Sequence, residues 1–430
     1  MERASAELVV GRESRAAFRF IFASALMSAI SFSIVIPILP NLVREIAGGD
    51  TASAAEWMMV FASAWGLAQF LCAPLLGALS DRFGRRPVLL ISTFGLGVDF
   101  LFMALAPTLP LLLVGRMVSG ATAASFATAH AYVADIVAKE DRAAFFGRLA
   151  SSISLGYLIG PVLGGWLGEI DLRLPYAAAA SVTLANWLYG FFVLPESLAP
   201  ERRSGRLELR SPIKAGGLAL LRSRPLLARL AGISFLNSLA NMLWGSVWVL
   251  FCAHRFGWSP LEMGIAILAS GVAGVGVQAW GVGRVVKAAG ERNTLLIGAG
   301  VACATLAFTA FAPNGWWYAA IIPVAAFGLL LGPGLQGMVS ASVGPEEQGR
   351  AQGGLQGLNG IATIVGPPIY GMVFAWSLRQ PGGTDLSGLA LLLSAAFMAG
   401  AFVLALGLGR QAPRSTAART PPARADRTKI

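Results

Sequence analysis

Long apolar runs separated by short polar segments constrain this sequence more than any other feature. A run of about 20 apolar residues crosses roughly 30 Å of hydrocarbon as a helix. Hydrophobic residues make up 56% of the chain and charged residues 13%, against roughly 25% charged in soluble proteins. We find twelve runs, at residues 18–39, 57–79, 87–106, 109–135, 143–168, 175–194, 226–252, 261–283, 293–312, 316–341, 350–377 and 387–409. The sequence therefore predicts an all-α membrane protein with twelve transmembrane helices.

The placement of the basic residues predicts how these spans are oriented. The chain has 33 Lys and Arg residues and a formal net charge of +11. With a cytoplasmic N-terminus, all of them fall on cytoplasmic segments except Arg44, Arg116, Arg173, Arg255 and Arg379. Since cytoplasmic loops are enriched in Lys and Arg, we predict a multi-pass protein of the inner (cytoplasmic) membrane with both termini in the cytoplasm. The basic charge is thus explained by topology, and no nucleic-acid partner is expected.

The sequence divides into two similar halves. Glycine and proline mark turns and close helix contacts, and a single ungapped shift aligns Gly77 with Gly283, Gly84 with Gly290, Pro107 with Pro313, and Gly160-Pro161 with Gly366-Pro367. Parallel repeats of this kind place a substrate site near the membrane midplane, between the halves. We predict a cytoplasmic tail (1–17), a six-helix bundle (18–194), a cytoplasmic linker (195–225), a second six-helix bundle (226–409) and a disordered basic cytoplasmic tail (410–430).

Three motifs carry a resemblance to a known family. The segment between spans 2 and 3 reads Gly77-Ala-Leu-Ser-Asp81-Arg82-Phe-Gly84-Arg85-Arg86-Pro87, and it resembles the loop signature of the major facilitator superfamily at every defining position. Arg116-Met-Val-Ser-Gly120 and Gly156-Tyr-Leu-Ile-Gly160-Pro161-Val-Leu-Gly164-Gly165 resemble motifs of its drug/proton antiporter branch. Within that branch the chain resembles the tetracycline/proton antiporters, in Gln69-Phe-Leu-Cys-Ala-Pro74, Val98-Asp99-Phe100 and Ala131-Tyr-Val-Ala-Asp135-Ile136.

The resemblance implies a major facilitator fold of two pseudo-symmetric bundles that work by alternating access. It implies export of tetracycline or other small amphipathic compounds in exchange for protons. We expect a monomer. We expect neither an enzyme nor a cofactor or metal site. The sequence contains no Gly-Lys dipeptide, which excludes a P-loop and direct use of ATP. The alternatives are a metabolite transporter with another coupling ion, a membrane-embedded enzyme, and a sensor that no longer transports.

The loop between spans 2 and 3 is predicted to form a cytoplasmic gate. Gly77 and Gly84 permit a tight turn. Asp81 is placed to cap the first turn of span 11, near residues 349–352, because free N–H groups and the helix dipole favour a negative charge there. Arg85 is a suitable partner for Asp135, at the end of span 4. The full gating set is Gly77, Asp81, Arg82, Gly84, Arg85, Arg86 and Asp135. Alternatively, these charges only set the topology.

Span 5 carries a smooth face of glycines. Gly156, Gly160 and Gly164 recur every four residues and therefore share one side of the helix, where another backbone can approach closely. Pro161 removes a helical hydrogen bond and permits a bend. With Gly165, these residues are expected to form a hinge and a seal against ion leak. Plain helix packing is the alternative, and the two are compatible.

Three titratable residues within spans are candidates for proton coupling. Arg116 costs about 2.5–3.5 kcal/mol in hydrocarbon, so it should face a cavity or an acid. Asp99 is the only acid placed deep in a span, and a carboxylate there can carry the proton. His130 is a weaker candidate, since packing is the main alternative for it. For Arg116 the alternative to a functional role is local hydrogen bonding. For Asp99 the alternative is a protonated carboxyl group bonded to a backbone carbonyl.

Amides and indoles predict the lining of a central cavity. Asn237, Asn241, Trp244 and Trp248 share one helical face of span 7, and aromatic faces bind apolar or cationic planar ligands. Trp248 can instead anchor the span at the interface. Weaker candidates are Gln69, Gln278, Gln336, Gln356 and Asn359. Where the tetracycline antiporters carry acids in spans 1 and 9 and a histidine in span 8, this sequence has Ser28, Ala302 and Gly274.

Overall fold

The computed structural model describes residue 18 and residues 20–137, 141–203, 215–380 and 385–408. Within these ranges all regular structure is helical. The first half contains α1 (Phe20–Ser33), α2 (Leu39–Ile46), α3 (Thr51–Phe83), α4 (Arg85–Leu105), α5 (Leu109–Ala121), α6 (Ser125–Ile136), α7 (Arg142–Ile170) and α8 (Leu174–Val193). The second contains α9 (Ala215–Ser223), α10 (Pro225–Ser246), α11 (Trp248–Phe256), α12 (Pro260–Gly276), α13 (Val282–Ala310), α14 (Gly315–Ala325), α15 (Leu331–Ser342), α16 (Pro345–Leu378) and α17 (Leu389–Leu406).

Ten helical segments among the described residues are long and apolar enough to cross a membrane. One of them, Pro260–Ala310, has 51 residues, and a straight helix of that length would extend about 77 Å. It bends at Gly290, where φ is 80° and ψ is 166°, so it comprises two spans. Phe20–Ser33 is a shorter apolar helix. The predicted all-α membrane fold is confirmed, and the count of twelve depends on including this short helix.

The two halves repeat their backbone irregularities at matching positions. Gly84 links α3 to α4 with φ 110° and ψ 169°, and its sequence equivalent Gly290 adopts nearly the same dihedrals. A positive φ of this kind is easily adopted only by glycine. The helix interruption at residues 122–124 likewise corresponds to the 3₁₀ segment Ala326–Leu330. The internal repeat seen in the sequence is therefore a structural repeat.

The structure also interrupts spans 1 and 7 and adds one helix. Span 1 ends at Ser33 and continues through a turn into α2. Span 7 breaks at Val247, where φ is −130° and ψ is −7°. Residues 215–223, placed in the linker by the sequence, form α9. This helix packs on α16 so closely that a Cβ at Gly217 would lie 2.9 Å from the carbonyl oxygen of Arg350.

The halves meet through two pairs of helices, α3 with α16 and α7 with α12. We call the end of the molecule that carries Arg82, Arg85 and Arg86 the basic end, and the opposite one the far end. Midway along α3 a Cβ at Gly66 would lie 3.3 Å from Thr363, and towards the far end Glu56 pairs with Arg379 at 2.5 Å. One apolar cluster joins residues of both halves there, among them Ile38, Leu42, Phe61, Phe251, Phe374 and Tyr370.

At the basic end the halves have separate cores. One buried cluster includes Leu89 and Tyr132 of the first half, and another includes Leu295 and Leu335 of the second. No hydrogen bond or ion pair between two described residues joins the halves there. Since apolar packing is the main attraction between such surfaces, the far end is closed and the basic end is open.

This asymmetry predicts the outcome of cross-linking. With the native cysteines changed to alanine, Glu56→Cys/Arg379→Cys is expected to cross-link in high yield with a short bifunctional thiol reagent, because the native side chains meet at 2.5 Å. The yield is measured by gel mobility after cleavage of the chain between Arg203 and Ala215.

A matched control lies within the second half, where Arg224 and Glu347 pair at 3.2 Å; cysteines there should cross-link within one fragment. Preferential cross-linking of Asp81→Cys/Gly349→Cys, across the basic end, would contradict an open basic end.

Candidate functional site

The loop at the basic end turns on Gly84 alone. Gly84 ends α3 by donating its N–H to the carbonyl of Ser80 at 3.2 Å, and α4 begins at the next residue. A Cβ atom on Gly84 would overlap the carboxylate of Glu196. Gly77 was expected to share the turn, but it lies inside α3, seven residues before Gly84. One residue with a positive φ is enough to turn the chain from α3 into α4. Gly77 is therefore not needed for the turn.

Arg85 is the centre of the polar network at this loop. Its Nε donates to Asp135 at 3.0 Å, and its Nη1 donates to Asp81 at 2.6 Å and to Ser80 Oγ at 3.0 Å. The side chains of Arg85 and Asp135 are only 14% and 17% exposed, so water screens this pair little. The structure thus brings together Arg85 and Asp135, as the sequence predicted.

Asp81 does not cap α16 in this structure. Its carboxylate binds Arg85, four residues later at the start of α4, and 45% of its side chain is exposed. Gly344, the N-cap of α16, supplies no side-chain bond, and no bond between described residues joins Asp81 to α16. The expected cap requires the halves to meet at the basic end, and in this conformation they are apart there.

Glu196 is a functional candidate that the sequence did not reveal. Its two carboxylate oxygens accept from the backbone N–H groups of Arg85 at 2.8 Å and Arg86 at 3.2 Å. It therefore caps the first turn of α4, where free N–H groups favour a negative charge. The tripeptide Pro195-Glu196-Ser197 follows α8 directly, but its distance of about 110 residues from the loop concealed the contact.

The remaining arginines of the loop have structural partners. Arg86 Nη2 donates to the carbonyl of Phe191, near the end of α8, at 2.5 Å. Its equivalent in the second half, Arg292, donates to the carbonyls of Leu406 and Leu408, at the end of α17. Cations stabilise the C-terminal carbonyls of a helix. Arg82 is exposed beside the ring of Phe83, 5.2 Å from its centroid.

The glycine face of α7 packs against α1, as expected for small residues. A Cβ at Gly156, Gly160 or Gly164 would collide with Ala29, Ser33 or Ile34, respectively. The hydroxyl of Ser33 donates to the carbonyl of Gly156 at 2.9 Å. Gly165 lies on another side of α7, against Pro260 at the start of α12, and Pro161 contacts Gly264 of the same helix. α7 is therefore fixed on one side to its own half and on the other to the second half.

Asp99 and Arg116 form an ion pair inside the first half. Asp99 is 0% exposed and the Arg116 side chain 11%. Arg116 Nε donates to Asp99 Oδ1 at 3.2 Å and Nη2 donates to Oδ2, so the contact is bidentate. A Cβ at Gly115 would lie 3.1 Å from the same carboxylate, which shows how closely α5 packs there. Arg116 thus faces an acid, one of the two environments expected for it.

His130 stands apart from this pair. Its Nδ1 lies 2.8 Å from the carbonyl of Phe126, one turn earlier on α6, and its ring lies 5.8 Å from that of Phe146. The side chain is exposed. These contacts are those of a packed side chain, which was the alternative to a proton role for His130.

The predicted cavity residues divide into two groups by exposure. Asn237 and Gln69 are half-buried, whereas the exposed ones are Asn241, Trp244, Gln278, Gln336, Gln356 and Asn359. Trp248 departs from the expected stripe. The break at Val247 turns it into the apolar cluster at the far end, where it is 3% exposed and 6.0 Å from the ring of Tyr318. Regular helical spacing, which the prediction assumed, ends one residue before it.

Small or hydroxylic side chains occupy the three positions that depart from the tetracycline antiporters. Ser28 is buried in α1. A Cβ at Gly274 would lie 2.9 Å from Leu329, and Ala302 packs on Gly328. None of the three places a charge where the family resemblance would expect one.

The buried pair predicts a loss of stability when one partner is removed. Arg116→Met should lower the free energy of unfolding by about 3–5 kcal/mol, because it leaves Asp99 charged and unpaired in the protein interior. Thermal unfolding in detergent measures the effect, and Asp99→Asn/Arg116→Met should recover much of it.

Arg224→Met is the matched control. Arg224 pairs with Glu347 at the surface, with side chains 50% and 30% exposed, and such pairs contribute at most about 1 kcal/mol. Equal unfolding temperatures for Arg116→Met and the unchanged protein would contradict the importance of the buried pair.

Comparison with known proteins agrees with this fold and these motifs. The family profile of the Major Facilitator Superfamily matches residues 21–281 and 230–429. The tetracycline resistance protein, class C, of Escherichia coli is 37% identical over 384 residues, which are 89% of this chain and 95% of that protein. Multidrug resistance protein 2 of Bacillus subtilis is 25% identical over 92% of this chain and 94% of its own length.

A solved structure has the same fold. That of the nucleoside transporter NupG superposes with a TM-score of 0.74 at 14% identity, over 91% of this chain and all of the other. Taken with the repeat, the loop motif and the profile match, this likeness leads to one conclusion: the chain belongs to the major facilitator superfamily.

Proposed function

We propose that this protein exports small amphipathic drugs from the cytoplasm, tetracyclines among them, in exchange for protons. It is a multi-pass membrane transporter rather than an enzyme. The proposal draws on its relatives, a tetracycline resistance protein and a multidrug resistance protein. The exchange for protons is supported by one observation, the buried Asp99–Arg116 ion pair.

The orientation follows from charge. Loops rich in Arg and Lys stay in the cytoplasm, so the basic end faces the cytoplasm and both termini lie there. The open basic end then corresponds to an inward-facing state that takes up substrate from the cytoplasm. The exposed amides of Asn241, Gln356 and Asn359 and the indole of Trp244 offer hydrogen bonds and an aromatic face to such a substrate.

The loop at Gly84 is proposed to act as the cytoplasmic gate. In the open state Asp81 binds Arg85. When the basic end closes, Asp81 turns to the free N–H groups at the start of α16, and Asp135 keeps Arg85 in place. A charge at a helix terminus contributes about 0.3–2 kcal/mol. That amount biases an equilibrium between two states without locking either.

The buried pair suits a coupling role for a physical reason. A charged group in hydrocarbon is costly, and Asp99 can be neutralised either by Arg116 or by a proton. When a proton replaces Arg116 as the partner of Asp99, the packing of α4 against α5 changes, because Gly115 of α5 lies against this carboxylate. A proton taken from the acidic outer side can therefore alter the conformation of the first half.

The substrate class is tested by growth inhibition in an efflux-deficient bacterium. Cells with the protein are expected to tolerate tetracycline and planar cationic dyes at least fourfold better than cells without it. Asp81→Asn should reach the membrane in equal amount and lose this tolerance, since the gate has lost its charge.

The growth-inhibition test distinguishes between the possible substrate classes. Tolerance to dyes without tolerance to tetracycline would restrict the substrate class, as expected if Ser28, Gly274 and Ala302 cannot replace the charged residues that handle a metal–tetracycline chelate. No tolerance to any compound would contradict drug export and favour a metabolite transporter of the same fold.

The coupling role of Asp99 is tested in proteoliposomes with an imposed pH gradient. Asp99→Asn should abolish uphill transport of the compound found above, because the carboxylate no longer exchanges a proton. Exchange of labelled for unlabelled substrate should continue, since it needs no net proton movement. Asp99→Glu should restore part of the uphill rate.

His130→Gln is the control, because His130 is exposed and takes no part in the Asp99–Arg116 pair. Undiminished uphill transport by Asp99→Asn would show that the proton travels elsewhere, with Asp135 the next residue to examine.

A further inference from the structure

Helix α7 has two exposed faces, and the first of them is apolar. Its residues recur every three or four positions and are each at least 37% exposed: Leu155, Ile159, Leu163 and Trp166. Lipid tails are as apolar as such side chains. This face is therefore turned towards lipid.

The second exposed face of α7 lies on the opposite side of the helix. Its exposed residues recur at the same spacing: Gly147, Ala150, Ser154 and Tyr157. Tyr157 is two residues, or about 200° of helical rotation, from Leu155 on the lipid face. Pro161 comes next along the second face and packs on α12, where a Cβ at Gly264 would lie 2.4 Å from the Pro161 carbonyl oxygen. The second face is therefore turned towards the second half of the molecule.

Tyr157 lies at the closed end of the space that opens between the halves at the basic end. Towards the basic end, a Cβ at Gly147 would have no atom within 4 Å. On the other side of Tyr157 the halves touch at once, because a Cβ at Gly271 of α12 would lie 2.6 Å from Leu158. Tyr157 itself remains 36% exposed. Its ring is thus accessible at the point where the two halves come together.

Two further aromatic rings hold Tyr157 in place. The centroid of the Phe32 ring, at the end of α1, lies 6.0 Å from that of Tyr157, with an interplanar angle of 53°. The ring of Trp65, on α3, lies 6.3 Å from that of Phe32. Phe32 and Trp65 are only partly exposed. We call these three residues the aromatic row; it connects three helices of the first half, and Tyr157 is its most exposed member.

We propose that Tyr157 determines which compounds this transporter binds, by stacking on the flat ring system of an aromatic cation. The inference rests on the proposed function and names the chemical class of its substrate. Covering an exposed aromatic ring removes apolar surface from water, which is favourable. The face of the ring carries partial negative charge and attracts a cation. Phe32 and Trp65 act as positioning residues, because they fix the ring on which the ligand stacks.

The test compares two cations of equal charge and different shape. Isothermal titration calorimetry of the purified protein gives the Kd of ethidium, which is planar and aromatic, and of tetrapentylammonium, which is aliphatic. Tyr157→Leu should raise the Kd of ethidium about tenfold and that of tetrapentylammonium less than about twofold, because only the flat ligand loses a stacking partner. Tyr157→Phe should keep both values, and Phe32→Leu should weaken ethidium binding to a smaller extent.

Trp166→Leu is the matched control on the same helix. Trp166 is an aromatic residue of the lipid face and is 57% exposed, so its replacement should leave both Kd values unchanged. Equal losses for the two cations in Tyr157→Leu, or no loss for either, would overturn the stacking role of Tyr157.

A second measurement leaves the aromatic row intact and so does not depend on how Tyr157→Leu folds. With Cys72, Cys252 and Cys303 changed to alanine, Ser154→Cys lies one turn from Tyr157 towards the basic end and should react with a polar thiol reagent. At about ten times its Kd, ethidium should slow this reaction about tenfold, since it then occupies roughly nine tenths of the sites. Arg284→Cys is the control, because Arg284 is exposed at the basic end of the second half, and its reaction should not change with the dye.

The outcomes separate this inference from the proposed function. Undiminished labelling of Ser154→Cys by the thiol reagent, while ethidium is bound, would overturn a site at Tyr157 and leave drug export intact. Failure of ethidium to bind the unchanged protein would instead contradict the proposed export of planar cationic dyes.

Discussion

In hydrocarbon a backbone N–H or C=O group has no water to bind, so the chain must satisfy its own hydrogen bonds. Helices do this residue by residue, which is why all regular structure in the described part of the chain is helical. The same requirement governs the side chains. Asp99 and Arg116 are tolerated in the interior because each neutralises the other, and most other charges lie at the helix ends.

Glycine then decides where helices approach one another. At Gly160 and Gly164 the backbone of α1 and the turn after it occupy the space that a side chain would need, and at Gly165 and Gly264 the two halves come equally close. These contacts and the Glu56–Arg379 pair hold the far end together. Among the residues that the structure describes, no comparable contact joins the halves at the basic end. In this state the halves are therefore joined at the far end and apart at the basic end.

The polar groups of the described residues differ in exposure. The amides of Asn241, Gln356 and Asn359 are exposed, whereas Asp99 and several hydroxyl groups are buried inside the first bundle. Under the proposed function, a substrate at the exposed amides and a proton on Asp99 do not compete for one site. Their coupling then depends on the conformation of α4 and α5 rather than on direct contact.

The sequence by itself determined the fold class, the internal repeat and the residues of the loop motif, because apolar runs, glycines and charges are local properties. It also predicted that Arg116 needs a cavity or an acid, but not which, since Asp99 lies on another helix. Only the tertiary structure decided that Glu196 caps α4, that Trp248 leaves the stripe of span 7 at Val247, and that Asp81 binds Arg85 instead of α16. Each of these depends on how helices distant in sequence pack, and on which end of the molecule is open.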